Sequence, residues 1–304
     1  MPFYNFKQKT KLYLVYAGNQ YSVDIYPDVS FSQTFNETPI EVKTLHNQYN
    51  MFDKATITRA NPANFNFTIP LLRQSDLKVI FDLLIDYDTT NTEVTLKRFD
   101  LYFKLDTVTY AINNCVIESG VFQIVKDRFI SLAVSGSGSK LYEFTGTIPG
   151  VVIARSSSST YVAPNAMSIQ VNSITQAYVT AVSLEVSNSV QWLDYDTLHK
   201  SLSITDVSGT MYPETFVVSK RNVSGSIQKY ITDDNNSTVN SWAVDVPLRI
   251  RVGASSSAYL LDFNLPTVVY TNRLDVQDIY IQSFDFRLTS SPTSLSTIIS
   301  LNTI

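Results

Sequence analysis

The residues of this 304-residue chain that could do chemistry are few: two histidines, one cysteine, and some acidic and glycine-rich spacings. Both histidines, His46 and His199, sit in the same tripeptide, Thr-Leu-His. Neither has a Ser, Cys or Asp arranged as a nucleophile elbow, and no His-x-His or His-x-x-x-His spacing offers zinc two ligands. A histidine repeated in this way reads as a structural position shared by two related segments. Asp194-Tyr-Asp196 has a metal-binding spacing but no further carboxylates nearby. Residues 233–237, Asp-Asp-Asn-Asn-Ser, lack the alternating acids, the Gly and the closing Glu of a calcium loop. Gly136-Ser-Gly-Ser-Lys140 has the glycines of a phosphate cradle, yet Lys140 leads into Leu-Tyr-Glu-Phe rather than a helix, so it reads as a flexible turn. Cys115 alone excludes an internal disulfide and a Cys-cluster metal site. No catalytic, cofactor-binding or metal-binding set survives, and the chain reads as a non-enzyme without cofactors.

The 18 Tyr and 17 Phe could form stacking platforms for single-stranded nucleic acid or sugars. Basic residues are not interleaved with them, which favours core and subunit packing instead. With 23 Lys and Arg against 27 Asp and Glu, the net charge of −4 argues against a sequence-reading DNA binder. It does not argue against a protein that merely encloses DNA. No apolar run approaches the ~18–20 residues of a membrane span. The stretch from Leu12 to Ala17 is too short for a signal-peptide core. The expectation is a soluble, unsecreted protein with no membrane partner.

Residue periodicity supplies the framework. Phe99, Leu101, Phe103 and Leu105 alternate with polar residues, as do Tyr280, Phe284, Phe286 and Leu288. Further strands are expected over 11–16, 20–25, 64–69, 122–134, 177–186, 216–220, 226–231, 247–252 and 259–265, all rich in β-branched and aromatic residues. One segment departs from this pattern. Ser75–Asp86 carries an N-cap serine, and Leu77, Ile80, Phe81, Leu84 and Ile85 fall on one helical stripe. A weaker helical signal covers 239–244.

The composition shifts over 146–165, where Gly, Pro and Ser runs read as a connector at the midpoint. The chain then divides into a first β domain (1–148), a linker (149–165) and a second β domain (166–304). Four matches in the same order support a duplication. The Thr-Leu-His tripeptides pair with each other, and Val29-Ser-Phe-Ser-Gln pairs with Val186-Ser-Asn-Ser-Val. Residues 57–65 pair with 218–227, and the tail Ser135-Gly-Ser-Gly-Ser pairs with Thr289-Ser-Ser. Offsets of about 153 to 161 residues are far too long for a solenoid repeat.

The order of elements from Tyr26-Pro-Asp-Val-Ser-Phe-Ser through the long loop 39–59, the strand Asn64-Phe-Asn-Phe-Thr-Ile and the helix Ser75–Asp86 resembles the tail tube proteins of long-tailed bacteriophages. The likeness is to the kind with a duplicated tube domain, and it covers residues 20–140 with a weaker echo over 178–290. It implies a mainly-β fold of two tandem sandwich or barrel-like tube domains, each of packed antiparallel sheets with at most one flanking helix. It further implies stacked trimeric, pseudo-hexameric rings forming a hollow conduit for genome ejection, located in the virion tail and assembled in the host cytoplasm. The partners implied are further copies of the chain, the tape measure, terminator and baseplate or tip proteins, a sheath where the tail contracts, and DNA passing without sequence-specific binding.

Two sets of residues follow from that picture. Apolar residues on long loops need a partner, so Leu45, Tyr49, Met51 and Phe52, with Leu202, Ile204, Met211 and Tyr212, are candidates for contacts between rings. Acidic residues on polar strand faces suit a DNA channel, which makes Asp100, Asp106 and Asp262 candidates to line it. The rival readings are a non-polymerising tail-tip or baseplate hub of the same fold, and a carbohydrate- or receptor-binding sandwich. The sandwich would need Trp192 and Trp242 exposed to ligand.

Overall fold

The computed structural model describes residues 9–40, 55–71, 76–88, 95–125, 128–154, 166–193, 203–205, 210–232, 242–255, 258–276, 278–290 and 294–302. Strands dominate, as the alternation requires. The first half holds β1 (Lys11–Tyr16), β2 (Asn19–Val23), β3 (Ser30–Ser32), β4 (Phe35–Ile40), β5 (Ala55–Ala60) and β6 (Ala63–Pro70). Helix α1 (Asp76–Ile85) follows, then β7 (Tyr87–Asp88), β8 (Thr95–Leu96), β9 (Phe99–Lys104), β10 (Thr109–Val125), β11 (Ser131–Gly138) and β12 (Lys140–Phe144). Past the midpoint come β13 (Val151–Val152), β14 (Ala166–Val171), β15 (Ile174–Thr175), β16 (Val179–Leu193), β17 (Ser203–Thr205) and β18 (Met211–Pro213). The chain ends with β19 (Thr215–Tyr230), β20 (Trp242–Ser255), β21 (Ala258–Val276), β22 (Tyr280–Leu288), a 3-10 turn (Leu295–Thr297) and β23 (Ile299–Leu301).

Most strands join one continuous barrel-like network. Its spine runs β3–β6–β11–β10–β16–β19–β22–β21–β20–β14, antiparallel throughout. The long strand β10 belongs to two sheets. Its first residues pair with β9 and β12, and its last residues with β11 and β16. One apolar core runs through both halves, from Leu12, Phe67 and Phe103 to Leu184, Ile250 and Phe263.

Strand pairings of the first half recur in the second. β3 with β6 corresponds to β16 with β19, since Ser30 faces Asn66 and Ser187 faces Asn222. β6–β11–β10 corresponds to β19–β22–β21, in which Leu132 opposite Phe122 matches Phe286 opposite Tyr270. Strands β9, β12, β1 and β2 match β20, β23, β14 and β15. Even the small hairpins agree: Ala17 and Gly18 have φ of 49° and 78°, and Asn172 and Ser173 have φ of 51° and 64°. Positive φ at both central residues gives the two-residue turn whose twist suits antiparallel strands.

Helix α1 lies where its apolar stripe predicts, with Leu77, Ile80, Phe81, Leu84 and Ile85 all buried; Ser75 lies outside the described residues. Other expectations need correction. The weak helical signal over 239–244 gives way to β20 from Trp242, because the alternation continuing from Trp242 pairs with β21. The separate strands expected over 216–220 and 226–231 are one 16-residue strand, β19. The run 122–134 breaks between β10 and β11. The supposed flexible turn at 136–140 is mostly the end of β11, with Ser137 and Ser139 buried. Glycine is needed there for space: a Cβ on Gly136 would overlap the Val116 carbonyl oxygen and the Phe65 ring. Part of the expected connector is also anchored, since Val151 and Val152 pair in parallel with Asn19 and Gln20.

Candidate assembly interface and polar sheet face

The spine sheet buries one face and shows the other to water. Along β6, Phe65, Phe67 and Ile69 are buried while Asn64 and Asn66 are exposed. Along β16, Val182, Leu184 and Val186 are buried between partly exposed Ser183, Glu185 and Ser187. Alternation over the neighbouring strands carries this face onward, mostly through Ser, Thr, Asn and Gln, with Val121, Val125, Glu185, Asp285 and Arg287 among them. In the second half this face forms a hollow of about 630 Å³, lined among others by Ser183, Glu185, Ser224, Ser226, Asp285 and Arg287. Glu185, Asp285 and Arg287 bring charge of both signs to it, and Glu185 accepts a hydrogen bond from Ser119 Oγ at 3.3 Å. Sequence reasoning missed this face, although the pattern Asn64-Phe-Asn-Phe-Thr already displays it.

The two halves are bound together by more than the shared sheet. Seven registers, from Ser119 opposite Ser187 to Val125 opposite Ala181, join β10 to β16. Asn188 is buried and donates to the Ile117 carbonyl at 3.0 Å. Its own oxygen accepts from Arg221 Nε, and Arg221 also donates to the carbonyls of Leu84 and Ile85 at 2.8 and 3.1 Å. Those carbonyls lie in the last turn of α1, where no intrahelical partner remains.

The long loops singled out in both halves lie side by side at their bases. β4 with β5 and β17 with β18 form one small sheet, joined where Met211 stands opposite Arg59. Met211 is half-buried and Tyr212 is buried, its ring 6.4 Å from Phe35 and 4.5 Å from Lys140 Nζ. Ile204 contributes backbone to β17. Leu45, Tyr49, Met51, Phe52 and Leu202 lie outside the described residues, as do His46, His199, Asp194, Asp196 and residues 233–237.

The three candidate channel acids lie apart from the hollow. Asp100 is half-buried and accepts from the Asn114 backbone N–H at 2.9 Å; burial raises its carboxyl pKa although that hydrogen bond opposes the shift. Asp106 is exposed and paired with Lys9 at 2.7 Å. Asp262 holds Arg249 at 2.7 Å, a hydrogen bond that raises the guanidinium pKa. Burial drives the Cys115 thiol far up, so the thiolate nucleophile is suppressed. Among the described residues no group of three His, Cys, Asp or Glu could hold a metal. No helix there is long and apolar enough to cross a membrane. Trp192 is half-buried, donates to Ser137 Oγ at 2.7 Å and packs on Phe216 at 5.3 Å.

The chain is thus mainly β, with a polar sheet face and paired strand arms. Residues 2–302 match the Bacteriophage Baseplate Tube Protein Family, and the chain belongs to it. It is thus a structural protein of the phage tail and baseplate, and a virion component; the family match is to a baseplate tube rather than specifically to a major tail tube. No curated protein matches the chain.

Proposed function

We propose that three copies of this chain close into a ring of six related halves, which forms a segment of the tube inside the baseplate. The observation that carries the reading is the β10–β16 joint. One half already docks on the next by antiparallel pairing within a single chain, and repeating that step around an axis closes a ring without leaving sheet edges exposed. The domain division at the midpoint enters the reading as two tube units fused in sequence.

The polar face lines the channel in this account. Hydroxyl and amide side chains keep their own water, and few cations are present to replace counterions on phosphate, so DNA slides through without sticking. The rings stack on neighbouring tail and baseplate proteins through the paired arms, and the genome leaves through the channel. A sugar-binding reading is disfavoured because Trp192 is half-buried with its ring packed on Phe216 rather than open as a stacking face.

Quantitative mass spectrometry of intact particles tests the placement. A small copy number, a multiple of three and independent of tail length, supports a baseplate ring. A copy number that rises with tail length reassigns the chain to the tail tube itself.

A further inference from the structure

The arms at the base of the two long loops are joined by a pairing that cannot be repeated around a ring. β5 and β18 are counterparts, since β5 runs into β6 and β18 into β19, the strands that carry Asn66 and Asn222 at matching registers. In the small sheet these like strands pair with each other, in parallel, with Met211 opposite Arg59. Each is already filled on its other edge, β5 by β4 and β18 by β17. A ring repeats one head-to-tail step, in which every unit offers one surface forwards and a different one backwards. Two like strands that face each other with both outer edges taken have nothing left to offer the next unit. However the copies meet elsewhere, this arm pairing occurs once per chain.

The side chains agree. The Tyr212 ring of the second arm is buried, edge-on to Phe35 of the first arm at 6.4 Å and 4.5 Å from Lys140 Nζ. At the same distance before Asn66 as Tyr212 lies before Asn222, the first half has Thr56, which has no ring to place in such a site. The two arms are therefore not interchangeable. Their base is also held in place. Gln33, where β3 leads into β4, donates from Nε2 to the carbonyls of Asn61 and Ser139 at 2.8 and 2.9 Å. Its Oε1 accepts from the Leu141 N–H at 2.9 Å, which ties the first arm to the start of β12 beside Lys140.

We infer that the arm end of the ring is threefold, with three double arms in place of six single ones, and that it receives a homotrimeric protein of the tail. The inference rests on the ring reading and adds the symmetry of the neighbour. A homotrimer offers one identical site to each double arm. A sixfold neighbour would meet a double arm at alternate sites only and leave the other half of its sites unmatched.

Two measurements test this. In the full chain, whose own Cys115 is buried, Arg59→Cys and Met211→Cys place two thiols opposite each other on adjacent strands, within reach of a disulfide. Oxidised rings should run on a non-reducing gel as single chains, at least tenfold in excess over linked pairs of chains. Rings in which chains are linked in pairs, or in which both thiols stay free, overturn the double arm. The second measurement is a reconstruction of baseplates from intact particles with no symmetry imposed. The density stacked on the arm end should be threefold and not sixfold. A sixfold neighbour there overturns the trimeric partner and leaves the ring standing, whereas a baseplate with no ring of this chain overturns the ring reading itself.

Discussion

The guanidinium of Arg221, on a strand of the second half, donates to the carbonyl of Leu84 in the last turn of the first half's helix, at 2.8 Å. This bond ends a helix in one repeat with a side chain from the other. It also shows that the two halves share buried polar satisfaction as well as sheet and core. Arg221→Ala strips the donor from two helix carbonyls and from Asn188, and should destabilise the fold by about 2–3 kcal/mol. Chemical denaturation checks this, and Arg221→Lys should recover only part of the loss because one ammonium cannot reproduce the planar fork.

Phe122 faces Leu184 across the joint and packs edge-on against Phe81 of the helix and Phe263 of the second half. Phe122→Ala should cost about 3–5 kcal/mol. Because its contacts span both repeats, calorimetry should show one cooperative transition for the described core, shifted down as a unit. Two separated transitions, only one of them shifted, would show the halves unfolding independently.

Gly136 and Gly225 occupy strand positions where a methyl group has no room. A Cβ on Gly225 would overlap the Ser183 carbonyl oxygen and the Phe286 ring. Alanine at either site should cost at least about 1–3 kcal/mol through forced backbone shifts. Gly18, with open space around it, is the control: alanine there should cost less, its penalty coming from the φ of 78° alone. Melting temperatures of the three variants rank the effects.

Asp100 gives a pH signature. Its carboxyl is raised by burial in the folded state. Its contribution is therefore fully present below the unfolded carboxylate pKa and is lost as pH rises through the folded value. Asp100→Asn keeps an acceptor for the Asn114 N–H and carries no charge. Its melting temperature relative to wild type should climb as pH rises from 3 to 7 (roughly the range over which carboxylates ionise). Asp100→Ala lacks the acceptor and should be the less stable variant at neutral pH.

Much of this was legible in the residues. The helix followed from the stripe Leu77, Ile80, Phe81, Leu84 and Ile85; the match of Val29-Ser30 with Val186-Ser187 agrees with the pairing registers, whereas that of 57–65 with 218–227 does not, since Asn66 rather than Asn61 takes the place of Asn222. The strand alternation gave the mainly-β class. What escaped was tertiary. Gly136-Ser-Gly-Ser reads locally as a turn because nothing near it in sequence announces the Phe65 ring and Val116 carbonyl that demand glycine. The weak helical signal near Trp242 lost to an available strand edge on β21. The polar half of single strands such as Asn64-Phe-Asn-Phe-Thr was visible, but its continuity across strands far apart in sequence emerges only from the pairing.

The central claim is that three copies close into one ring around a channel. Electron microscopy of the purified protein at increasing concentration tests it most directly. The account predicts annular particles with a central hole, threefold symmetry and six similar lobes. Monodisperse single chains at every concentration, persisting when the other tail and baseplate proteins are added, would contradict it.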